Sequence, residues 1–273
     1  MKTIIKIFCI IIIIILILCL FNDNKENFKS QNKYVCLYAY YEKNDDYKNN
    51  LKFFLENGIL DYVDYYFIIN GECTVNIPQK DNIKILYRKN IGYDFGAWSF
   101  ALTKLKNVYD YYIFINTSVV GPYLNNNDKD WLQKFMKLFN KKDVKLVGST
   151  INILEPPSKT HVQTMFFILA KEALEYLNTK DFFNENEINT CDFDSVIDKK
   201  EIGLSQYILK NNWNINCIVP HYRNLDYRTL DTNINKPKEI TDVVYKNSFF
   251  GRSLTPEEMV FYKKWRFNIK SII

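Results

Sequence analysis

Residues 111–118 read YYIFINTS, five aromatic or branched apolar residues followed by three small polar ones. An apolar run of this length predicts a fully buried β-strand. The polar residues Asn116, Thr117 and Ser118 follow directly after the predicted strand. In open α/β sheets, ligands bind in the crevice outside the carboxyl ends of the strands. This stretch therefore predicts a buried strand with candidate ligand-binding residues at its end.

Similar apolar runs recur along the chain and alternate with segments of helical spacing. One of these segments places Phe95, Trp98 and Leu102 on one helical face. Besides residues 111–115, the predicted strands are Tyr34–Tyr40, Tyr65–Ile69, Ile83–Tyr87 and Val144–Gly148. This alternation predicts an α/β fold with a mostly parallel sheet flanked by helices. No Gly/Ser-rich linker interrupts it, so we assign residues 34–273 to one domain.

In the second half of the chain, the regular alternation of predicted strands and helices changes. We predict a strand over Val162–Leu169 and a helix over Glu201–Leu209. A last helix is predicted by its start signals, which are Thr255 as N-cap, Pro256 at the first helical position and Glu258 at capping-box spacing.

The amino terminus carries a long apolar segment. Residues 4–21 are apolar apart from Lys6, and they are long enough to cross a bilayer when the lysine side chain reaches the interface. A cleaved secretory signal is the alternative, but no small residues mark a cleavage site. We therefore predict a membrane anchor over residues 1–21 and a stem over residues 22–33. Because Lys2 and Lys6 lie ahead of the uninterrupted apolar run that starts at Ile7, the positive-inside rule predicts a single-pass type II protein whose main domain is lumenal or extracytoplasmic.

The charge balance and the cysteines narrow the class of protein further. The net charge of +5 comes from 36 Lys+Arg against 31 Asp+Glu, without a dense basic cluster, so we predict no nucleic-acid partner.

The predicted domain holds four cysteines whose spacing does not match a Cys/His metal site. They either form up to two disulfides or remain free thiols: Cys36, Cys73, Cys191 and Cys217.

A second polar cluster follows the strand predicted over Ile83–Tyr87. Asn90, Gly92 and Asp94 lie where the chain passes from this strand into a helix. Gly92 permits backbone angles that other residues avoid. Asp94 either caps the helix or, together with Asn90, hydrogen-bonds a polar ligand. We expect this loop to meet residues 116–118 in one cavity.

Two further candidates lie in the second half of the chain. His161 and Gln163 stand at the start of an apolar run, where a histidine is either structural or in contact with a ligand. Glu201 begins a predicted helix, where a carboxylate interacts with the helix dipole or, in a cleft, acts as a general base. The chain lacks G-x-S-x-G, Walker, G-x-G-x-x-G and H-E-x-x-H motifs. Their absence disfavours simple hydrolases, kinases, dehydrogenases and metalloproteases.

Taken in order, these clusters resemble the rhamnan-synthesis-F-like glycosyltransferases, a family related to the nucleotide-sugar-dependent enzymes of the GT-A fold. The likeness runs over residues 34–266 and depends on the order of several short motifs. The matching residues are Asn70-Gly71, Asn90-x-Gly92-Tyr93-Asp94-Phe95-Gly96-Ala97-Trp98, Tyr111–Ser118 with Gly121-Pro122, His161–Met165, Glu201-x-Gly203-Leu204-Ser205 and Pro256-x-Glu258-x-x-Phe261-x-Lys263-x-x-Arg266.

The resemblance implies a Rossmann-like GT-A fold and the transfer of a sugar from a nucleotide-diphosphate donor to a glycan, lipid or protein acceptor. The loops at Asn90 and Asn116 would then hold the donor. On this reading Glu201 is the base that deprotonates the acceptor. We expect His161 and Gln163 to contact the acceptor or the donor sugar.

One departure from the wider GT-A pattern concerns the cofactor. The Asp-x-Asp that binds Mn²⁺ or Mg²⁺ there is represented here by Asn116-Thr117-Ser118, so a metal cofactor stays open. The alternatives for neutralising the diphosphate are an ion recruited by Asp94 or basic side chains such as Arg88, Arg223 or Arg228. The missing motif also supports a rival hypothesis, a membrane-tethered carbohydrate-binding or scaffold protein without turnover. A glycan hydrolase is a third alternative and requires paired carboxylates.

Overall fold

The computed structural model describes residues 33–106, 108–125, 128, 130–154, 156–223, 225–229 and 242–266. The chain from Lys33 onward forms one compact unit. The predicted membrane anchor, residues 1–21, and the predicted stem up to residue 32 lie outside the described residues. Within the described ranges, no helix has both the length and the apolar character that crossing a membrane requires.

A seven-stranded sheet forms the centre of the fold, with a separate two-stranded sheet beside it. The strands are β1 (Tyr34–Tyr40), β2 (Val63–Asn70), β3 (Ile83–Arg88), β4 (Tyr111–Asn116), β5 (Val144–Gly148), β6 (Ile151–Asn152), β7 (His161–Val162), β8 (Phe166–Ala170) and β9 (Asn214–Cys217). The order in the large sheet is β3-β2-β1-β4-β8-β5-β9, and β6 pairs with β7. All neighbours in the large sheet are parallel except β8, which runs antiparallel to β4 and β5. The predicted α/β fold with a mostly parallel sheet is confirmed.

Short helices connect these strands. They are α1 (Asp45–Asn57), α2 (Tyr93–Lys104), α3 (Trp131–Met136), α4 (Lys171–Thr179), α5 (Glu185–Ile188), α6 (Phe193–Val196), a π-helix (Ile197–Ile202), α7 (Gly203–Lys210) and α8 (Pro256–Met259). Single 3₁₀ turns cover Lys137–Phe139, Pro157–Lys159, Pro220–Tyr222 and Lys264–Arg266.

Helix α1 shows how local sequence positions an element beside the sheet. The Asn44 side chain accepts a hydrogen bond from the Tyr47 N–H and so caps the first turn. Leu51 and Phe54 are buried on the face toward the sheet. The Asn50 side chain donates a hydrogen bond to the Thr117 carbonyl at 3.0 Å. This last contact fixes α1 against the loop that follows β4.

Aromatic side chains fill the core between the sheet and α2. Phe114 of β4 and Phe167 of β8 stack across the two strands with ring centroids 4.5 Å apart. Trp98 of α2 packs edge-on against both rings, at 5.6 and 5.3 Å. Such aromatic contacts stabilise beyond the area that they bury. They anchor α2 on the sheet and thereby fix the position of its first turn.

Three predictions for the second half of the chain need correction. The strand predicted over Val162–Leu169 is two strands, because a turn between β7 and β8 sends Val162 to pair with Ile151 and Phe166 to pair with Ile115. Helical structure begins before Glu201, which lies inside the π-helix. The capping box at Thr255 is confirmed, but its helix α8 ends after one turn.

The four cysteines among the described residues are thiols and do not form disulfides. All four are free, with Cys36 and Cys217 buried and the other two partly exposed. Burial raises the pKa of the Cys217 thiol to about 12, so this side chain behaves as a small apolar residue.

We predict that Gly121→Ala is more destabilising than Gly71→Ala. Both glycines have positive φ angles, +154° and +95°, so alanine introduces backbone strain at either position. At Gly121 the added Cβ would also lie 2.4 Å from the Val260 carbonyl oxygen, whereas nothing lies within 4 Å at Gly71. Overpacking of this kind costs about 1–3 kcal/mol. Urea denaturation of the two variants measures the difference in unfolding free energy, and equal losses would contradict the prediction.

Candidate functional site

One hydrogen bond joins the loops that follow β3 and β4. The Asn116 side chain, at the end of β4, donates from Nδ2 to Oδ2 of Asp94 at 2.8 Å. Asp94 lies in the first turn of α2, which packs on β1 and β2. The helix therefore starts near the end of β3 and brings its first turn to the end of β4. The two loops meet as predicted in the contact between Asn116 and Asp94, and the shared cavity stays a prediction.

The backbone entering α2 takes two successive left-handed residues. Gly92 has φ +73° and Tyr93 has φ +55°. A Cβ on Gly92 would lie 2.4 Å from Oδ1 of Asn189, so both the angle and the space favour glycine. Gly92 is the N-cap of α2 and provides no side-chain cap. Asp94 follows inside the helix and bonds to Asn116, so its interpretation as a helix cap is wrong.

Asn116 at the end of β4 and the two polar residues that follow it differ in their exposure to solvent. Asn116 is buried, and its Oδ1 accepts from both the N–H and the hydroxyl of Ser118. Thr117 is buried as well, with its N–H donating to the Ala39 carbonyl at 3.0 Å. Ser118 remains partly exposed. Asn116 and Thr117 therefore hold the turn in place, and Ser118 is the member of the three that is open to a ligand.

Two other predicted ligand residues have different surroundings. Asn90 is exposed in the loop and forms no hydrogen bond to any residue that the structure describes. Gln163 is buried, and its Nε2 donates to Asp242 at 3.0 Å while its Oε1 accepts from the Thr150 hydroxyl. Both amide atoms of Gln163 are thus used within the protein, and its contact with a sugar stays a prediction.

The electrostatic state of Asp94 is unusual. Its side chain keeps part of its surface accessible although it is densely surrounded by protein. We use the name recess for this partly open position together with the groups that act on Asp94, which are Asn116, Glu201 and Lys263. This burial raises the pKa of Asp94 to about 6, while the nearby Lys263 ammonium and the Asn116 hydrogen bond oppose the rise. The carboxylate of Glu201 raises it further. A carboxyl group with such a shifted pKa in a cleft is a candidate functional group.

Glu201 lies close enough to Asp94 to act on it electrostatically. Its Oε1 accepts a hydrogen bond from the Thr164 N–H at 3.2 Å and lies 4.0 Å from Nε2 of His161. The His161 Nδ1 lies 2.6 Å from the Lys159 carbonyl oxygen, so this nitrogen carries the hydrogen and Nε2 faces Glu201. Glu201 is partly exposed and sits in the π-helix. Single π-turns within helices occur frequently at functional sites.

The recess also contains charged residues that sequence reasoning did not place in a site. Lys263 is partly buried beside Asp94, Glu201 and Asp242, and Arg266 pairs with Asp242. Burial lowers the pKa of the Lys263 ammonium, and the positive charge of Arg266 lowers it further. The sequence did carry Lys263 and Arg266 in the last motif of the resemblance, but the approach of Lys263 to Asp94 depends on a reversal of the chain after α8.

The arginines proposed as diphosphate partners are used elsewhere. Arg88 donates to Asn70 at 2.7 Å and to the Ile91 carbonyl at 2.9 Å, which ties down the loop after β3. Arg223 donates to the Ile218 carbonyl at 2.6 Å. Arg228 pairs with Asp226 and with Asp143 at 2.7 and 2.9 Å. These arginines stabilise loops. The cation that acts on Asp94 is Lys263, whereas Arg266 pairs with Asp242.

The donor set does not fit a divalent metal ion. Mg²⁺ and Mn²⁺ bind carboxylate, carbonyl and water oxygens, and at phosphate sites Mg²⁺ is held by one or two carboxylates together with the substrate phosphates. Nowhere in the described ranges do three or more His, Cys, Asp or Glu side chains converge on a point that could hold a metal. Oδ1 of Asn116 is already engaged by Ser118, and the cationic Lys263 stands next to Asp94. The chemistry of these side chains favours an anion at this position over a second cation.

No family model and no curated protein matches this chain. Among solved structures, it is similar to a mannosyltransferase from Pyrobaculum calidifontis in complex with GDP-Man and Mn²⁺, with 10% identity and a TM-score of 0.45. The match covers 68% of this chain and 55% of the mannosyltransferase, so the chain spans about half the length of that relative. Mouse xyloside xylosyltransferase 1 matches with 8% identity, a TM-score of 0.40 and coverage of 84% of this chain and 97% of the mouse chain.

A third similar structure has a different activity. It is 4-diphosphocytidyl-2C-methyl-D-erythritol synthase from Anaerococcus prevotii, with 9% identity and a TM-score of 0.40 over 74% of this chain and 96% of that chain. At these values the likenesses do not assign a function, which depends instead on the residues of the site.

We predict that Asp94→Asn stabilises the protein at pH 8 but not at pH 4. The folded-state pKa of about 6 exceeds the ordinary value of 3.8, so ionisation of Asp94 destabilises the fold as the pH rises between these values. Asparagine removes this penalty and can still accept the bond from Asn116. Each pKa unit corresponds to about 1.4 kcal/mol, so the gain in unfolding free energy has an upper bound of about 3 kcal/mol. Urea denaturation at both pH values measures the gain.

Asp226→Asn is the control of opposite sign. The Arg228 side chain holds the pKa of Asp226 below its ordinary value of 3.8, so its carboxylate stays ionised in the folded protein at pH 8 and largely so at pH 4, and this variant should lose stability at both pH values. A stability difference for Asp94→Asn that is the same at pH 4 and pH 8 would show that Asp94 does not titrate as described.

Proposed function

We propose that this protein is a glycosyltransferase that transfers a sugar from a nucleoside-diphosphate donor to a hydroxyl group of a glycan, lipid or protein. The observation that carries the proposal is the direct hydrogen bond between Asp94 and Asn116 at the strand ends. This bond supports a single ligand site at the edge where α/β sheets bind ligands. The site would contain acidic, basic and hydroxyl groups. The order of the sequence motifs supports the same class, and membership of the rhamnan-synthesis-F-like family remains part of the proposal.

The donor would lie between the loop at Asn90 and the turn at Ser118. In this arrangement the Asp94 carboxylate accepts hydrogen bonds from sugar hydroxyls. The Ser118 hydroxyl donates its hydrogen to Asn116 and accepts a hydrogen bond from a hydroxyl of the donor. Asn116, Thr117 and Gly92 act indirectly, because they hold Asp94 and the loop backbone in place. Holding reacting groups in position in this way lowers the entropic part of the reaction barrier.

Glu201 would be the base for the acceptor. The acceptor hydroxyl oxygen forms a bond to the anomeric carbon, the bond from that carbon to the diphosphate oxygen breaks, and the hydroxyl proton passes to the Glu201 carboxylate. The Thr164 N–H fixes the orientation of this carboxylate, and its second oxygen is free of that bond. His161 flanks Glu201 and contacts the acceptor. A positioned base typically contributes about 10² to 10⁴ in rate.

The amino-terminal segment belongs to the same proposal. A single-pass type II anchor at residues 1–21, followed by a stem over residues 22–33, would place residues 34–273 on the lumenal or extracytoplasmic side. The apolar run over residues 4–21 and the two lysines ahead of its uninterrupted part support this arrangement. Fusion of a reporter to the carboxyl terminus, with protease protection in membrane vesicles, tests the topology.

The activity is tested with the purified full-length chain and a panel of UDP-, GDP- and dTDP-sugars. Release of nucleoside diphosphate is followed with and without acceptor, in Mn²⁺ and in EDTA. Release that depends on an acceptor supports the transferase. The absence of release with every donor, together with nucleotide binding, favours the rival hypothesis of a binding protein without turnover. The departure from Asp-x-Asp at Asn116-Thr117-Ser118 is the observation behind that rival.

We predict that Glu201→Gln lowers kcat by about 10² to 10⁴ while the Kd for the donor changes by less than about threefold. Glutamine keeps the size and the hydrogen bond to Thr164 but accepts no proton. Glu175→Gln is the matched control, since Glu175 lies exposed on α4 and pairs with Lys171. Stopped assays of product formation and calorimetric donor binding measure the two effects. Wild-type turnover in Glu201→Gln would remove Glu201 from the role of base and leave the glycosyltransferase proposal standing.

A further inference from the structure

The last described segment of the chain, residues 256–266, forms part of the recess, and we name it the C-terminal strap. Tyr262 and Val120 exchange two backbone hydrogen bonds, of 2.9 and 3.1 Å, and the Tyr123 N–H donates to the Val260 carbonyl at 2.8 Å. Phe261 stacks on Phe166 with ring centroids 4.3 Å apart. The strap is therefore bound both to the loop after β4 and to the aromatic core.

The turn that directs the strap is strained. Val260 has φ +64° and ψ −46°. A β-branched residue in this region is a genuine conformational outlier, and such outliers persist only where the surrounding structure enforces them. The contacts of Tyr262 and Phe261 supply that enforcement. Their effect is to reverse the chain after α8 and to bring Lys263 to the side of Asp94.

Lys263 is surrounded by charge but is not paired. Asp94, Glu201 and Asp242 all act on it electrostatically, yet among the described residues its ammonium group forms no hydrogen bond and no close ion pair. An ammonium group carries three N–H donors, and burying it without partners is costly. Arg266 differs in this respect, because it is engaged by Asp242. The donors of Lys263 are thus available to a ligand that enters the recess.

We propose that Lys263 binds the diphosphate of the nucleotide sugar and takes the place of the divalent metal ion, so that donor binding and transfer proceed without metal. This inference rests on the proposed function. When the bond between the anomeric carbon and the diphosphate breaks, the electron pair goes to the bridging oxygen. The Lys263 ammonium donates a hydrogen bond to the diphosphate oxygens and stabilises this charge. Lysine is a common phosphate ligand because it acts as a strong point charge.

The positions of the neighbouring groups suit this role. Because the side chains around Asp94 do not suit Mn²⁺ or Mg²⁺, the diphosphate needs another positive charge beside it. Lys263 is next to Asp94, and within the described part of the chain no carboxylate forms an ion pair with it. Asp242 engages Arg266 and accepts from Gln163, so it does not neutralise Lys263 directly. Preorganised charges of this kind, aimed at a leaving group, typically change kcat by about 10² to 10³.

The test compares Lys263→Met, Lys263→Arg and the control Lys264→Met in the full-length protein. Lys264 is the exposed neighbour on the same strap, so its variant controls for net charge. Binding of UDP, GDP, dTDP and inorganic pyrophosphate is measured by calorimetry in EDTA and in Mn²⁺. We expect wild-type binding in EDTA, at least a tenfold loss in Lys263→Met, partial recovery in Lys263→Arg and no loss in Lys264→Met. Far-UV circular dichroism and the melting temperature verify that each variant is folded.

A measurement on the wild type keeps the test independent of variant folding. Acetic anhydride labels accessible lysines, and mass spectrometry reports the labelling of Lys263 and Lys264. In EDTA, the bound nucleoside diphosphate should protect Lys263 and leave Lys264 unprotected.

The outcomes separate the two proposals. Binding that requires Mn²⁺, unchanged binding in Lys263→Met, or unprotected Lys263 would overturn the inference and leave the glycosyltransferase proposal intact. If none of the nucleotides binds in either condition, the proposed function fails and the inference fails with it.

Discussion

The arrangement of the site depends on the hydrogen bond from Asn116 to Asp94. A buried amide can donate and accept at once, and Asn116 uses both capacities: Nδ2 holds Asp94 and Oδ1 holds Ser118. The strand β4 and helix α2 are thereby fixed relative to each other at the sheet edge. An aspartate in place of Asn116 would lose the donor and place two carboxylates in contact. At the first position of Asp-x-Asp, the asparagine that departs from the motif is thus the residue that this geometry requires.

Much of the sheet could be predicted because its information is local. Runs such as YVCLYAY over Tyr34–Tyr40 and VKLVG over Val144–Gly148 are strands in the structure with those same bounds. Their side chains are buried on both faces, so continuous apolarity is sufficient to identify them. The proximity of Asp94 and Asn116 was also predictable, since the carboxyl ends of parallel strands share one edge of the sheet, although β2 and β1 lie between β3 and β4. These features follow from the order of elements and not from particular long-range contacts.

The features that were missed depend on contacts between distant residues. The apolar run from Val162 to Leu169 conceals a turn, because that turn is stabilised by Thr164 bonding to Glu201 and by Met165 accepting from Asn116. Lys263 reaches the recess only through the reversal at Val260, and no sequence rule places a valine in a left-handed conformation. In both cases non-local hydrogen bonds override the local preference, and both cases lie at the candidate site.

The charges of the recess are electrostatically costly to the folded protein. Burial shifts the pKa of Asp94 upward and that of Lys263 downward, so each group is held away from the solvation that it would have in water. Direct pairing of the two charges would remove much of this cost, yet they interact only at a distance. Aliphatic side chains of similar volume would remove it entirely. The chain nevertheless retains these separated charges, and it retains a strained valine close to them. A bound molecule that carries negative charge and hydroxyl groups can offset the free-energy cost of burying the charges. Buried, separated charges beside backbone strain are therefore the physical reason to interpret the recess as a functional site.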